Sequence, residues 1–264
     1  MAIHPTAVID PGARLGAGIV IGPHAVIEAD TDIGEGCEIR AHAVVKRFTR
    51  MGRENVVHES AILGGEPQDL TFAGAASALV IGDRNRVREG VTIHRGSEPG
   101  SATVVGSDCF FMAYSHVAHN DRLGNGVILV NGALLAGHVE VGDRAFLGGG
   151  AGVHQFSRVG RLAMVGGNSR ISMDCLPFVN TTGIPARAVG LNVVGLRRAG
   201  IDAGGLRAIK QAYRILLRSK LPKAEALGQM AALGDPLVDE MIAFIRASKR
   251  GFHRAERPKE AEAE

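Results

Sequence analysis

The sequence predicts a mainly β protein, a parallel β-helix of hexapeptide repeats followed by a C-terminal α-helical domain. The main observation is a six-residue period. An aliphatic or aromatic residue occupies every sixth position from Val105 to Ile171, and the same step runs from Ile3 to Val45 and from Ile81 to Ile93. An α-helix repeats every 3.6 residues, so this pattern excludes a helix over these segments.

Small residues follow these anchor positions at fixed offsets. Glycine often comes one position later, as at Gly16, Gly34 and Gly106, and a small residue such as Ala133 or Ala151 usually comes four positions later. We interpret each repeat as a short flat strand that ends in a tight turn requiring positive φ. Three such strands would complete a coil of about eighteen residues. Successive coils would then stack by parallel pairing at about 4.8 Å, with the anchors in columns down a dry core.

The pattern divides the chain into two predicted domains. The β-helix covers 1–190, with excursions near 46–80, where the register is lost, and near 96–102, which is rich in Gly and Ser. The helical domain covers 191–264. There Leu206, Ile209 and Tyr213 lie on one helical stripe, and Asp235 followed by Pro236 predicts an N-cap and first turn.

Composition limits the function classes. The chain has 264 residues, 36 of them glycine, and a formal net charge of +3 at pH 7. So small a charge gives no reason to expect nucleic acid as a partner, and no apolar run reaches the roughly 18 residues of a membrane span. The first repeat begins at Ile3, which leaves no room for a signal peptide. Three cysteines without metal-ligand spacing indicate reduced core thiols, so we expect a cytoplasmic protein.

Histidines cluster beside one column of anchors. Counting in eighteens from Val105 places four of them, with one glutamine, on one edge of the predicted prism, within about 10 Å along its axis: His116, His119, His138, His154 and Gln155. Three interpretations are open: solvated surface histidines, a zinc site, or a general base. The last is favoured, because a neutral imidazole accepts a proton from a hydroxyl or amine near pH 7, whereas no fixed ligand spacing requires a metal.

Several motifs resemble one family. They are IGDRNRVREGVTIHRG (81–96), GEPQDL (65–70), SHVAHN (115–120), LAGHV (135–139), VHQF (153–156) and GLNVVGLRR (190–198). Together they resemble the bacterial UDP-N-acetylglucosamine O-acyltransferases of lipid A synthesis, over nearly the whole chain. The resemblance implies a left-handed β-helix, against the general crossover rule. It also implies a homotrimer with sites between subunits, an acyl carrier protein as acyl donor, a UDP-sugar as acceptor, and no metal or redox cofactor.

The resemblance also implies roles for individual residues. His119 matches the general base, and the backbone N–H of Gly137 matches the donor to the oxyanion of the tetrahedral intermediate. Gly167 matches the floor of the acyl groove. The positions that match acceptor-binding residues are Asp69, Thr71, His116, His138, Gln155, Asn192 and Arg198.

Three positions depart from the family pattern. Asn120 replaces an acidic residue directly after the base, Thr71 replaces a lysine, and Val194 replaces a glutamate. An Asn carbonyl can orient an imidazole but lacks the charge that stabilises imidazolium, an effect of about 1 to 3 pKa units for a well-placed carboxylate. An amine needs less base assistance than a hydroxyl, so a 3-amino acceptor is an alternative. An acetyl-CoA-dependent sugar acetyltransferase and a non-catalytic solenoid platform are two others.

Overall fold

Three parallel sheets form the sides of a β-helix in the computed structural model, which describes residues 1–255. Sheet A contains β1 (Ala2–Ile3), β4 (Val20–Ile21), β7 (Glu38–Ile39), β10 (Val56–Val57), β13 (Arg86–Val87), β16 (Phe110–Phe111), β19 (Ile128–Leu129), β22 (Phe146–Leu147), β25 (Met164–Val165), β27 (Val179–Gly183) and β28 (Ala186–Leu191). Sheet B contains β2 (Val8–Ile9), β5 (Val26–Ile27), β8 (Val44–Val45), β11 (Ile62–Gly65), β14 (Thr92–His94), β17 (His116–Val117), β20 (Leu134–Leu135), β23 (Gly152–Val153) and β26 (Arg170–Ile171). Sheet C contains β3 (Arg14–Leu15), β6 (Asp32–Ile33), β9 (Thr49–Met51), β12 (Ala78–Ile81), β15 (Ala102–Val105), β18 (Arg122–Leu123), β21 (Glu140–Val141) and β24 (Arg158–Val159).

The register keeps each anchor directly above its equivalent in the next coil. Val117 pairs with Leu135, and Leu135 pairs with Val153. These side chains are almost completely buried, as are Cys37 and Cys109, which occupy small-residue positions of the core. Burial raises the pKa of the Cys109 thiol to about 11, so it is protonated and unreactive at neutral pH. The predicted class, a parallel β-helix with helices at its C-terminal end, is confirmed.

The glycines that follow the anchors serve a purpose other than the predicted one. Positive φ occurs three residues after an anchor, often at a residue other than glycine, as at Asn120 (φ 62), His138 (φ 61) and Phe156 (φ 62). The glycine one residue after each sheet C anchor instead allows close approach of the next coil. A Cβ on Gly106, for example, would lie 2.6 Å from the carbonyl oxygen of Gly124. The expectation that these glycines supply positive φ was therefore wrong.

The two excursions are shorter than predicted. Strands β9, β10 and β11 remain in the ladders, so within 46–80 only residues 66–77 leave the coil. Their anchors are Met51, Val57 and Leu63, which continue the six-residue period between charged neighbours that obscure it. The second loop covers 96–101, because Ala102 already belongs to β15.

Helices close the C-terminal end after the antiparallel pair β27 and β28. They are α1 (Val193–Arg198), α2 (Ala203–Leu217), α3 (Lys223–Ala231) and α4 (Pro236–Arg246). Asp202 caps α2 and Asp235 caps α4, where Pro236 occupies the first turn. A second core forms where these helices pack against Leu162, Leu176 and Phe178 of the last coil.

The predicted helical domain extends to residue 264, and its positions 256–264 lie outside the described residues. In the described part, no helix has the length and apolar character needed to cross a membrane.

Candidate active site

The histidines lie along the edge between sheets B and C, either in a sheet B strand or on the turn that follows it. These turns follow β14, β17, β20 and β23, and the residues two positions after each buried anchor stack as Arg95, His119, Gly137 and Gln155. The rings of His119 and His138 meet edge to face, with centroids 5.2 Å apart, and His94 meets His116 in the same way at 4.7 Å. The structure therefore brings His116, His119 and His138 together on one edge.

The imidazole of His119 has a defined orientation. Its Nδ1 lies 2.9 Å from Asn120 Oδ1, and that oxygen also accepts hydrogen bonds from Ser97 N (3.0 Å) and Ser97 Oγ (2.8 Å). Because an amide oxygen only accepts, Nδ1 carries a hydrogen, and in the neutral ring Nε2 therefore holds the lone pair. The Ser97 N–H also fixes which end of the Asn120 amide faces the ring.

Gly137 lies directly beside the reactive nitrogen. A Cβ on Gly137 would be 2.6 Å from His119 Nε2, so any side chain there would displace the ring. The Gly137 carbonyl accepts a hydrogen bond from Phe156 N (3.2 Å), whereas its own N–H donates to no group among residues 1–255. A proton acceptor and a free backbone donor are thus adjacent.

The surrounding histidines are held in the neutral form. Burial lowers the pKa of His94 to about 4, with smaller contributions from His116 and His119. Burial also lowers the pKa of His116, whose Nδ1 lies 2.7 Å from Thr92 Oγ1. The pKa of His138 is lowered by burial and then by His119, against smaller opposing effects of Glu98 and Asp69. The rings around His119 therefore carry no charge near neutral pH.

A carboxylate that sequence reasoning missed lies behind Asn120. Asn120 Nδ2 donates a hydrogen bond to Glu98 Oε2 at 3.1 Å. Some loss of hydration would raise the pKa of the exposed Glu98 carboxyl, but hydrogen bonds in the 96–101 loop and the charge of His138 outweigh it and lower the pKa. Asp121 plays no such part. Its Oδ1 accepts from Val139 N (2.7 Å) inside the coil, and burial raises its pKa well above the usual range.

The 66–77 loop carries Asp69 and Thr71 beside this edge. Asp69 Oδ1 accepts hydrogen bonds from Thr71 N (2.9 Å) and Thr71 Oγ1 (2.8 Å). These bonds lower the pKa of Asp69, and the charges of His119 and His138 add to the effect. Arg95 anchors the loop: it is 3% exposed, its N–H donates to Gly65 O (3.0 Å), and its guanidinium lies 5.4 Å from the ring centre of Phe72.

Gln155 and Phe156 occupy the next turn. Gln155 is exposed, and Phe156 stacks on His138 with ring centroids 4.7 Å apart although it is 52% exposed itself. Phe156 is the last residue of the VHQF motif, but the sequence analysis did not predict it as a site residue. An exposed ring beside a histidine offers a flat apolar surface to a ligand.

Three predicted residues lie elsewhere in the chain. Gly167 is exposed on the turn after β25, at the edge between sheets A and B. Asn192 caps α1: its Oδ1 accepts from Gly195 N (3.0 Å) and its Nδ2 donates to Leu162 O (2.9 Å). Arg198 is exposed in the last turn of α1. No hydrogen bond or ion pair within residues 1–255 connects these three to His119.

One group in the described chain has the spacing of metal ligands, and it lies away from this edge. The ligand atoms of His58, Glu59 and Glu89 are within 4.8 Å of one another. However, Arg40 Nη1 is 3.0 Å from His58 Nδ1 and Arg88 pairs with Glu89 at 2.8 Å. The Arg40 guanidinium already occupies His58 Nδ1 and Arg88 already balances the charge of Glu89, so the group does not favour a cation.

The chain is similar to known proteins over nearly its whole length. Residues 174–253 match the family described as UDP-N-acetylglucosamine O-acyltransferase, domain 2, and residues 12–47 match the bacterial transferase hexapeptide repeats. The chain is 49% identical over 259 residues to an acyl-[acyl-carrier-protein]–UDP-N-acetylglucosamine O-acyltransferase of Burkholderia orbicola, covering 96% of this chain and 99% of that one. It is 50% identical over 255 residues to the protein of the same name from Alkalilimnicola ehrlichii, with the same coverage.

Solved structures match the fold over the same share of this chain, at lower sequence identity. The LpxA structure from Acinetobacter baumannii has a TM-score of 0.92 at 35% identity, and UDP-N-acetylglucosamine O-acyltransferase from Moraxella catarrhalis has 0.91 at 37%. Each comparison covers 96% of this chain and 100% of the other. The left-handed sense expected from the resemblance is consistent with these matches. The chain therefore belongs to the family of acyl-[acyl-carrier-protein]–UDP-N-acetylglucosamine O-acyltransferases.

Proposed function

We propose that this protein transfers a (3-hydroxy)acyl chain from acyl carrier protein to the 3-hydroxyl of UDP-N-acetylglucosamine in lipid A synthesis. The observation that carries the proposal is the contact of His119 Nε2 with Gly137, a residue whose N–H donates to no group among residues 1–255. Relatives at 49% and 50% identity, named for this reaction, support it.

The geometry suits a general-base mechanism. His119 Nε2 accepts the proton of the sugar hydroxyl as its oxygen attacks the thioester carbonyl carbon. The carbonyl oxygen becomes an oxyanion and accepts a hydrogen bond from the Gly137 N–H. When the tetrahedral intermediate collapses, the carbon–sulfur bond breaks, and the imidazolium returns its proton to the leaving thiolate. Asn120 keeps Nδ1–H in place throughout.

Binding of the acceptor is assigned to side chains that surround His119. His116, His138 and Gln155 face the acceptor from the coil, and Asp69 and Thr71 approach it from the 66–77 loop. Thr71 can donate only a neutral hydrogen bond, so it cannot supply the positive charge of the lysine that the family has there. Phe156 adds an apolar surface.

We assign the remaining predicted residues, Arg198, Asn192 and Gly167, to the part of the site that a neighbouring subunit contributes. In a homotrimer, α1 of one subunit would approach the histidine edge of the next, which brings the forked donors of Arg198 to the diphosphate. Asn192 then acts by capping α1, since both ends of its amide are already bonded. Gly167 would form the floor of the acyl groove, where a side chain would shorten the accepted chain. We place the reaction in the cytoplasm.

The alternative acceptors and roles are not favoured. The names of the relatives specify O-acyl transfer from an acyl carrier protein, which argues against an acetyl-CoA enzyme and against a non-catalytic platform. A 3-amino acceptor was considered because Asn120 left His119 without a charged partner. Glu98, 3.1 Å behind the Asn120 amide, weakens that reason.

Product analysis tests the proposal. Purified protein is given UDP-N-acetylglucosamine or its 3-amino analogue together with a panel of acyl carrier protein thioesters, and the products are identified by mass spectrometry. We expect O-acylated UDP-N-acetylglucosamine as the preferred product. A preference of tenfold or more for the amine, measured as the ratio of kcat/KM values with one donor, would contradict the hydroxyl assignment.

The role of His119 is tested in the same assay. His119→Ala should lower turnover by about two to four orders of magnitude, the usual contribution of a general base, without changing the assembly measured by sedimentation. His4→Ala, at an exposed position whose ring bonds only to Thr6 within the described chain, is the matched control and should keep the parent rate. A near-parent rate for His119→Ala would end the assignment.

A further inference from the structure

Glu98 connects to the general base through one amide group. Its Oε2 accepts a hydrogen bond from Asn120 Nδ2 at 3.1 Å, while Asn120 Oδ1 accepts from His119 Nδ1 at 2.9 Å. The two ends of the Asn120 side chain therefore link a carboxylate to the imidazole. Neither the composition nor the hexapeptide period pointed to this link.

The loop holds Glu98 in position. Glu98 N donates to Ser101 Oγ (3.0 Å), Ser101 Oγ donates back to Glu98 O (2.8 Å), and Gly100 N donates to Ala76 O (2.9 Å). Asn120 N also donates to Thr103 Oγ1 at 2.8 Å, which fixes the other partner. Both members of the link are thus bound to ordered backbone.

We propose that Glu98 is a positioning residue for acyl transfer: through the Asn120 amide it orients His119 and supplies the negative charge that stabilises the imidazolium formed in the reaction. This rests on the proposed function. A carboxylate that accepts a hydrogen bond from the amide nitrogen polarises the amide and strengthens the bond at its oxygen.

The titratable groups around His119 are His94, His116, His138, Asp69, Glu98 and, on the preceding turn, Arg95. The three histidines are held neutral by burial, and the cationic Arg95 pairs with Glu66 (3.4 Å), so none of these four groups can stabilise a neighbouring cation. Asp69 is bonded to Thr71 within its own loop. Within residues 1–255, only Glu98 joins a carboxylate to the Nδ1 side of the ring, which is where an imidazolium needs its counterion.

The first test removes the charge alone. Glu98→Gln keeps an acceptor for Asn120 Nδ2, so we expect kcat to fall about three- to tenfold, a moderate effect because an exposed charge is screened. KM for UDP-N-acetylglucosamine should stay unchanged. The rising limb of the pH profile of kcat/KM should move to lower pH, since an imidazolium without its counterion loses its proton more readily. Glu140→Gln, an exposed carboxylate on sheet C, is the control and should change none of these quantities.

The second test asks whether a substitution at Asn120 restores the rate that Glu98→Gln lowers. Asn120→Asp alone would place two carboxylates against each other with no hydrogen between them, so we expect a lower rate. The double variant Asn120→Asp/Glu98→Gln restores one charge beside His119 and one donor behind it, so its rate should return to at least that of the parent. If the two single effects simply multiply, Glu98 does not act through Asn120 and the proposal is wrong.

A measurement without turnover separates the two proposals. In ¹H–¹⁵N spectra of the substrate-free protein, Glu98→Gln should move the titration midpoint of the His119 ring to lower pH, and Glu140→Gln should leave it in place. If the parent shows no acyl transfer but this shift occurs, the proposed function fails and the link between Glu98 and His119 stands. If the parent is active and neither the spectrum nor the pH profile responds to Glu98→Gln, the role of Glu98 is refuted.

Discussion

At the scale of single residues, the ring of His119 fits its site only because the next coil offers no side chain beneath it. Successive coils stack at the spacing of paired strands, so equivalent turn positions are in direct contact. His119 and Gly137 are such equivalents, as the second residues of the turns after β17 and β20. The same stacking places Gly137, whose N–H is proposed to bind the oxyanion, against the His119 ring.

Gly137→Ala tests this contact. The added Cβ would lie 2.6 Å from Nε2 and 2.7 Å from Cε1 of His119, so the ring must move. We expect kcat to fall by about 10²- to 10³-fold, comparable to the loss of an oxyanion donor, because both the base and the N–H lose their alignment. Gly152→Ala, in the next strand of sheet B, is the matched control: its Cβ would meet nothing within 4 Å and its kcat should be unchanged. Equal rates for the two variants would contradict the proposed geometry.

Periodicity decides which site residues could be found from the sequence. His116, His119 and His138 sit at fixed offsets from anchors, so counting in eighteens places them on one edge. Glu98 lies in a loop without a sequence period, so its place beside the site is recognised from its hydrogen bond to Asn120. The orientation of Asn192 could not be predicted from the sequence either, because its hydrogen-bond partner Leu162 lies thirty residues earlier.

At the scale of elements, two arginines of the last coils join the β-helix to α4. Arg158 in β24 donates to Asp174 Oδ2 through Nη2 (2.8 Å) and through Nε (3.0 Å), and it donates to Phe244 O of α4 (2.7 Å). Arg161 pairs with Glu240 of the same helix. The sequence predicts the strands and helices separately by their periods, but it carries no periodic signal for contacts between them.

Asp174→Asn should weaken this junction. Asp174 is 1% exposed at its side chain and Arg158 is 18% exposed, so the substitution leaves a largely buried guanidinium without its counterion. We expect the free energy of unfolding in urea at pH 7 to fall by about 3 kcal/mol. The matched control is Asp32→Asn, which breaks the exposed pair of Arg14 and Asp32 (68% and 51% exposed) and should cost less than about 1 kcal/mol. Similar losses in both variants would show that burial of the junction is unimportant.

At the scale of the whole molecule, the helical domain offers a basic face. Arg207, Lys210, Arg214 and Arg218 are exposed at helical spacing along or just after α2, whose other side buries Ile209 and Tyr213. Lys220 and Lys223 extend it. Such a face can simply keep the protein in solution, or it can attract an acidic donor such as acyl carrier protein.

Salt dependence distinguishes these roles. If the face docks the carrier, Arg214→Glu/Arg218→Glu should raise KM for acyl carrier protein about tenfold at low ionic strength and flatten its dependence on salt. The control Arg86→Glu reverses an exposed charge on sheet A and should leave KM unchanged. Circular dichroism checks that α2 stays folded. Unchanged KM at every ionic strength would leave only the solubility role.

The separation of the site residues within one chain leads to the last prediction. Arg198 on α1 has no contact with the histidine edge within residues 1–255. In the proposed homotrimer, a complete site would combine the edge of one subunit with α1 of another. Chains carrying His119→Ala and chains carrying Arg198→Ala should each be nearly inactive alone. Co-expressed in equal amounts, they should assemble randomly, and about a quarter of the interfaces would then combine an intact His119 with an intact Arg198.

We therefore expect about a quarter of the parent kcat from the co-expressed mixture, and none from the two variants purified separately and mixed without exchange. If co-expression restores no activity while mixed assemblies are seen by mass spectrometry, His119 and Arg198 serve the same site from a single chain, and the intersubunit arrangement is wrong.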